Sequence, residues 1–215
     1  VFCEKPMCLT LDEIKKINLI YKKKKILLQV NYSRRYFKEY QKIKKHIENK
    51  ILGKMQIVQM YYSKGLIHNG SHAIDLALWF FGFPKKIFAY NSYKSLSYKN
   101  DFCSSIILNY NKKFNVEIIG IDIKGLGHIE MNFIGTKKKY FINSKNEIII
   151  YELTNLNNNK KKFFFKRKSK IKIKTGEALQ YALKNFKKAY NERAKLLSSC
   201  NNSINIFRVI KNCQN

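Results

Sequence analysis

The sequence predicts a mixed α/β (α+β) fold in which helices cover one face of a large, mostly antiparallel sheet. Three observations point to it. Up to about residue 82, β-rich runs alternate with segments of helical period. From Lys86 onward, six β runs follow one another with only short Asn, Gly and Lys turns between them. The 215 residues are 45% hydrophobic with two prolines and nine glycines, a composition that supports one packed core and argues against a disordered or collagen-like chain.

Val1 to Cys3 is a short apolar piece that resembles the end of a strand, and Glu4-Lys5-Pro6 follows it. Thr10-Leu11-Asp12-Glu13 forms a capping box, and Ile14, Ile17 and Tyr21 recur at helical spacing, which predicts a helix from about Leu11 to Lys23. Ile26 to Tyr32 is an apolar, β-rich run expected to be a buried strand. Arg35 to Lys50 places Phe37, Tyr40, Ile43 and Ile47 on one helical face, and Gly53 closes that region. Met55 to Tyr62 predicts a strand, and Ser71 to Phe81 a short apolar helix with Ser71 as N-cap and Gly82 as the stop. Lys86 to Tyr93, Phe102 to Tyr110, Phe114 to Asp122, His128 to Ile134, Lys139 to Asn143 and Glu147 to Glu152 are expected to form an antiparallel meander, with Asn111-Lys112-Lys113 as one of its turns. Asn155 to Lys162 predicts a polar loop, and Phe163 to Lys174 an edge strand guarded by lysines. Helices over Gly176 to Asn191 and Ser203 to Lys211 end the chain.

The net charge is +29, from 43 basic and 14 acidic residues. Of the basic residues 38 are lysine and five arginine, and asparagine supplies 23 more, the usage that A/T-rich codons produce. Nucleic-acid readers lean on arginine, so a lysine excess spread along the chain is expected to reflect coding bias, and nucleic acid is not the expected partner. Lys160 to Lys174 with Phe163 to Phe165 keeps a runner-up open, a basic strip that stacks single-stranded nucleic acid. Five cysteines without a CxxC pair indicate neither a disulfide framework nor a cysteine zinc site, and a reducing, cytoplasmic setting is expected. The apolar run Ala73 to Phe83 is too short to span a membrane and Asp75 interrupts it, so no membrane partner is expected.

Two segments carry the chemistry, Val1-Phe2-Cys3-Glu4-Lys5-Pro6 and Gly65-Leu66-Ile67-His68-Asn69-Gly70-Ser71-His72-Ala73-Ile74-Asp75-Leu76. An E-K-P followed at this distance by H-x-I-D-L-x-x-W-x-x-G resembles the Gfo/Idh/MocA family of nicotinamide-dependent sugar oxidoreductases, over essentially the whole chain. The resemblance implies a Rossmann domain whose last strands lead into E-K-P, joined to an α/β domain on a large antiparallel sheet. It implies NAD or NADP as cofactor. The glycine-rich turn that seats the pyrophosphate would lie about ninety residues before E-K-P. None of the nine glycines forms G-x-G-x-x-G after a strand; Gly125-Leu126-Gly127 comes nearest, inside the β-rich half. On this reading residues 1–24 are the last strand and helix of a Rossmann unit, with the first strand lacking its neighbours and the Ile14/Ile17 face partly uncovered. Residues 25–215 form the substrate and oligomerisation domain.

The resemblance assigns roles. Lys5 reaches toward the nicotinamide and the substrate hydroxyl, where a cation stabilises a developing alkoxide. Glu4, Lys5 and Pro6 are the expected cofactor contacts. His72 is the expected proton acceptor, since oxidising an alcohol needs a base to take the hydroxyl proton as hydride leaves. His68 stands where many relatives carry an aspartate; one helical turn would place it on the face of His72, although a second imidazole cannot reproduce a carboxylate's charge. No metal is expected at these histidines, which lack the glutamate of H-E-x-x-H and a third ligand. Asp75 is expected to anchor its helix and Trp79 to fill the core. Arg34 and Arg35 are candidates to hold an anionic substrate group by paired hydrogen bonds, with a surface role as the alternative, and Asn69 is a further substrate contact.

The expected function is hydride transfer between a nicotinamide cofactor and a hydroxyl of a sugar, nucleotide sugar or cyclitol, with this chain alone inactive. The alternative is a cofactor-free remnant serving as a binding or oligomerisation module. The expected partners are a small sugar substrate and further copies of the chain, joined through the sheet.

Overall fold

The computed structural model describes residues 1–110, 113–156 and 159–214, with the side chains of residues 159–161 left aside. Among the described residues an eight-stranded sheet forms the centre of the molecule, in the order β10-β9-β8-β7-β3-β6-β5-β4. The strands are β3 (Met55–Tyr62), β4 (Lys86–Lys94), β5 (Phe102–Asn109), β6 (Asn115–Gly120), β7 (Ile129–Gly135), β8 (Lys138–Ile142), β9 (Glu147–Leu156) and β10 (Asn159–Lys172). All neighbours are antiparallel except β3 and β6, which run parallel from Ile57↔Asn115 to Tyr62↔Gly120.

The continuous meander expected from residue 86 is therefore corrected. β3 enters between β6 and β7, and those two sequential strands never pair. Its sequence shows why it belongs in the middle: Val58, Met60 and Tyr62 alternate as fully buried residues, and in register they meet Val116 and Ile118 on one side, Phe133 and Met131 on the other. The same buried row continues through Tyr140, Ile142 and Ile148. One residue out of phase, Gln59, Glu117 and Asn132 line the opposite face, where Gln59 Nε2 donates to Glu117 Oε2 at 3.1 Å. Period two thus separates a helix-covered face from a mixed, half-exposed one.

Helices α2 (Lys38–Glu48) and α3 (Ser71–Phe81) close the apolar face, Phe80 stacking edge-on to Phe133 at 5.5 Å and His46 Nδ1 meeting the Tyr140 hydroxyl at 2.8 Å. The helix expected from Arg35 is interrupted. Ser33–Tyr36 is a 3-10 turn and Phe37 is extended, because Arg35 is drawn into the core. The expected polar loop at 155–162 is in part strand: β9 runs on to Leu156 and β10 starts at Asn159. β10 is an edge strand, as its lysine alternation indicates. The expected turn residues Asn111 and Lys112 lie outside the described residues.

At the N-terminus β1 (Phe2–Cys3), α1 (Leu11–Lys23) and β2 (Gln29–Val30) form a strand-helix-strand unit with β1 and β2 parallel. The capping box is present, with Glu13 N donating to Thr10 Oγ1 at 3.3 Å and Thr10 N to Glu13 Oε2 at 3.1 Å. Two expectations change here. β1 has a neighbour, and the strand expected over residues 26–32 shrinks to two residues, because β1 is only that long and beyond it Gln29 finds just an isolated bridge to Ser199. The apolar face of α1 is covered in part, as expected: Ile14 is fully buried and α5 (Cys200–Lys211) packs against the helix with Ile206, Phe207 and Ile210 buried, while Ile17 stays half-buried. α4 (Ala178–Glu192) lies against the 3-10 turn and Gln29, whose amide donates to the Ala182 carbonyl at 3.0 Å. No helix among the described residues is long and apolar enough to cross a membrane.

Candidate functional site

Lys5 and the turn that leads into α3, more than sixty residues apart in sequence, meet directly. The Lys5 ammonium donates to the carbonyl of His68. That carbonyl is held in place by a π-helical turn, Gly65–Gly70, which runs straight into α3. The turn is entered through two left-handed residues, Lys64 (φ 63°) and Gly65 (φ 74°). Glycine is required at 65, since a Cβ there would collide with the Asp101 carboxylate.

Asp101 does the work that the sequence suggested for Ser71. Its Oδ1 accepts from Ile67 N at 3.0 Å and its Oδ2 from His68 N at 2.8 Å, so the otherwise unpaired amides at the start of the turn are satisfied by a residue just before β5. Ser71 makes no cap, because the chain is already helical at Gly70; its hydroxyl instead donates to the His68 carbonyl at 3.4 Å. Asp101 sits 33 residues away in a Lys-Asn-Asp turn, and nothing local in the sequence links it to the site.

The electrostatics are dominated by burial among positive charges. Lys5 is pulled down to a pKa of about 8, first by desolvation and then by the Arg34 guanidinium; Glu4 and Asp101 act against this. Desolvation also lowers Arg34. His72 is 7% exposed, packs edge-on against Tyr32 at 6.0 Å and is held far below the usual histidine value by desolvation and by Arg34, Lys5 and His68. It is neutral at physiological pH. Its Nδ1 is buried without a hydrogen-bond partner among the described residues, an uncommon condition for a native polar group.

His68 departs from expectation. Its ring stacks on Tyr98 at 4.2 Å, with Nε2 2.9 Å from the Tyr98 hydroxyl, so it turns toward the β4–β5 loop and makes no hydrogen bond to His72. Burial and the nearby Lys5 lower its pKa. A cavity of about 360 Å³ opens beside it, lined by Pro6, Ile67, His68, Tyr98, Lys99 and Asp101.

Arg35 is corrected from substrate contact to structural residue. Only 3% exposed, it forms a forked pair with Asp75, Nε to Oδ2 at 2.9 Å and Nη2 to Oδ1 at 2.7 Å, and its Nη1 donates to the Leu197 carbonyl at 2.7 Å. Asp75 anchors α3 in this way, and Trp79 stacks beside the guanidinium at 5.8 Å. Asn69 Nδ2 is turned to the His128 carbonyl at 3.3 Å, and Glu4 Oε1 accepts from Asn31 at 2.8 Å. The structure therefore brings Lys5, Arg34, His68 and His72 together and engages Arg35, Asn69 and Glu4 with protein partners. Among the described residues no three His, Cys, Asp or Glu side chains cluster as metal ligands would.

No family model matches the chain, and no curated protein matches it. Solved structures do. An NAD-binding oxidoreductase from Klebsiella pneumoniae superposes with a TM-score of 0.80 at 12% identity, over 100% of this chain and 70% of its own. An oxidoreductase from Agrobacterium radiobacter, crystallised with NAD+, L-tartaric acid and magnesium, gives 0.73 at 12% identity over 100% and 70%. UDP-N-acetylglucosamine 3-dehydrogenase from Acidithiobacillus ferrooxidans gives 0.73 at 12% identity over 98% and 68%. The class defined by this fold is thus one that oxidoreductases use, including NAD-binding ones. At such identities the likeness is one of fold, and the residues of the site must carry the chemistry.

Proposed function

We propose that this chain forms the substrate side of a Gfo/Idh/MocA-type oxidoreductase, with NAD or NADP as cofactor and a hydroxyl of a sugar, nucleotide sugar or cyclitol as the reacting group. The observation that carries the reading is the convergence of an amine of depressed pKa, Lys5, on the π turn that bears His68 and leads into His72. The residues present fit a bound cofactor and substrate: among the described residues His72 Nδ1 is a buried acceptor or donor without a partner, and Lys5 holds only a carbonyl as its protein partner. When bound, the nicotinamide supplies the hydride acceptor or donor. Lys5, charged below about pH 8, lowers the energy of an alkoxide developing beside it. His72, neutral in this pH range, has a lone pair with which to take the hydroxyl proton. Arg34 adds a second positive charge on the same side, which favours a substrate with a carboxylate or phosphate near the reacting carbon.

The test is hydride transfer by the complete polypeptide encoded by the gene that carries this sequence, followed by nicotinamide absorbance across a panel of sugars, sugar acids and nucleotide sugars. Lys5→Met and His72→Ala should each lower kcat by about 10²-fold with cofactor affinity nearly unchanged, because both act mainly in the transition state. Full activity after either substitution would remove that residue from the mechanism, and nicotinamide turnover with no member of the panel would argue against the substrate class.

A further inference from the structure

The largest of the described cavities lies elsewhere. About 660 Å³ in volume, it is floored by Ile47, Leu52, Met55, Phe81 and Phe114 and rimmed by Lys50, Lys54, Lys113 and Lys137. It sits at the C-terminal end of α3, where Phe81 lies, whereas His72 is at the N-terminal end; nine residues of helical rise, about 13 Å, separate Phe81 from His72. None of the four rim lysines has a carboxylate within ion-pair distance among the described residues. The lysines elsewhere that do pair, such as Lys138 with Glu152 and Lys170 with Glu147, show that carboxylates are available to this sheet but are placed away from the groove.

The floor is rigid by construction. The loop after α2 is tied to the β7–β8 turn by Lys137 N donating to the Leu52 carbonyl at 2.9 Å, Thr136 N to the Lys54 carbonyl at 3.0 Å and Lys54 N to Thr136 Oγ1 at 3.0 Å. Gly53 (φ 79°) and Gly135 permit that approach, for a Cβ on either would strike the facing loop. The rim backbone of Lys54 and Lys137 is therefore fixed before any ligand arrives, which lowers the ordering entropy of binding.

We propose that this groove binds a free long-chain carboxylate, its tail on the Phe81/Phe114 floor and its head among the lysine ammonium groups. Four unpaired cations around an apolar floor repel one another and leave hydrocarbon facing water; an anionic amphiphile removes both penalties together. The volume lies in the range of small-molecule sites, and the floor offers no side-chain donor set that would read a base or a sugar.

Calorimetric titration with laurate below its micellar concentration tests this, beside dodecanol, acetate and vesicles of phosphatidylglycerol. The expected result is saturable one-to-one binding of laurate, weakened about tenfold or more in Lys54→Glu/Lys137→Glu and unchanged in the charge-matched control Lys187→Glu/Lys188→Glu on α4. All four lysines are exposed, so both variants should fold, which thermal melting verifies. Equal loss in the control would mean adsorption on net charge and overturn the proposal, as would dodecanol binding as tightly as laurate or laurate failing to saturate. Vesicle binding with the same dependence on Lys54 and Lys137, without binding of free laurate, would reassign the groove to a lipid surface and equally overturn the free-ligand assignment.

Discussion

Lys5 should be the most reactive lysine among the described residues. With a pKa of about 8 it is half neutral at pH 8, whereas a lysine at the ordinary value of about 10.4 is neutral to well under 1%, so its free-amine fraction is greater by roughly a hundredfold. The shift comes first from desolvation and then from Arg34, and these causes can be varied one at a time. Arg34→Met removes a repelling cation and should raise the Lys5 pKa; Asp101→Asn removes an attracting carboxylate and should lower it further. The assay is reductive methylation with carbon-13 formaldehyde followed by NMR titration, with the Lys5 resonance assigned from its loss in Lys5→Met. The Lys5 resonance should titrate near pH 8. The linkage sign is fixed by the direction of the shift: a base whose folded pKa lies below its unfolded value opposes folding at pH below about 8. That opposition fades as pH rises from about 8 through the unfolded value. Full conversion of the shift would give about 3 kcal/mol; because Lys5 is only partly buried, about 1–2 kcal/mol is the expected size. A Lys5 that titrates with the bulk above pH 10, or that ignores Arg34→Met, would refute the electrostatic account and with it the role of Lys5 as a finely poised cation.

Other outcomes follow from the same geometry. Breaking the Arg35–Asp75 pair by Asp75→Ala should destabilise the fold by about 3–5 kcal/mol in urea melts, while Arg35→Met/Asp75→Leu should recover much of that loss, since the price is mostly the stranded charge. Because His72 is buried with its pKa depressed, its contribution favours folding above the unfolded value of about 6.5 and is lost as pH falls below it; His72→Phe should therefore flatten the acid side of the stability profile, and an unchanged profile would count against the buried neutral imidazole. The half-exposed sheet face around Gln59, Glu117 and Asn132 is proposed to meet a second copy of the chain, so light scattering at micromolar concentration should report an oligomer, and a monomer would oppose it.

The local elements were legible in the sequence because their causes are local. The Thr10/Glu13 capping box, the alternation of Val58, Met60 and Tyr62, and Gly82 at the end of α3 each depend on residues within a turn or a strand of one another, and each is found where the pattern puts it. The pairing of E-K-P with H-x-I-D was also readable, as a resemblance, and in the structure Lys5 reaches the His68 carbonyl in the turn just before that motif. What tertiary structure alone decided is which partner each polar group chose. Asp101 caps a π turn that runs into the helix Ser71 was expected to cap, Arg35 was drawn to Asp75 and so shortened a helix, and His68 turned to Tyr98 instead of His72. The entry of β3 between β6 and β7 belongs with these. Hydrophobic periodicity states which face of a segment is buried but not which neighbour covers it, and the hydrogen-bond partner of a buried polar side chain is set by whichever distant group the packed chain delivers within about 3 Å.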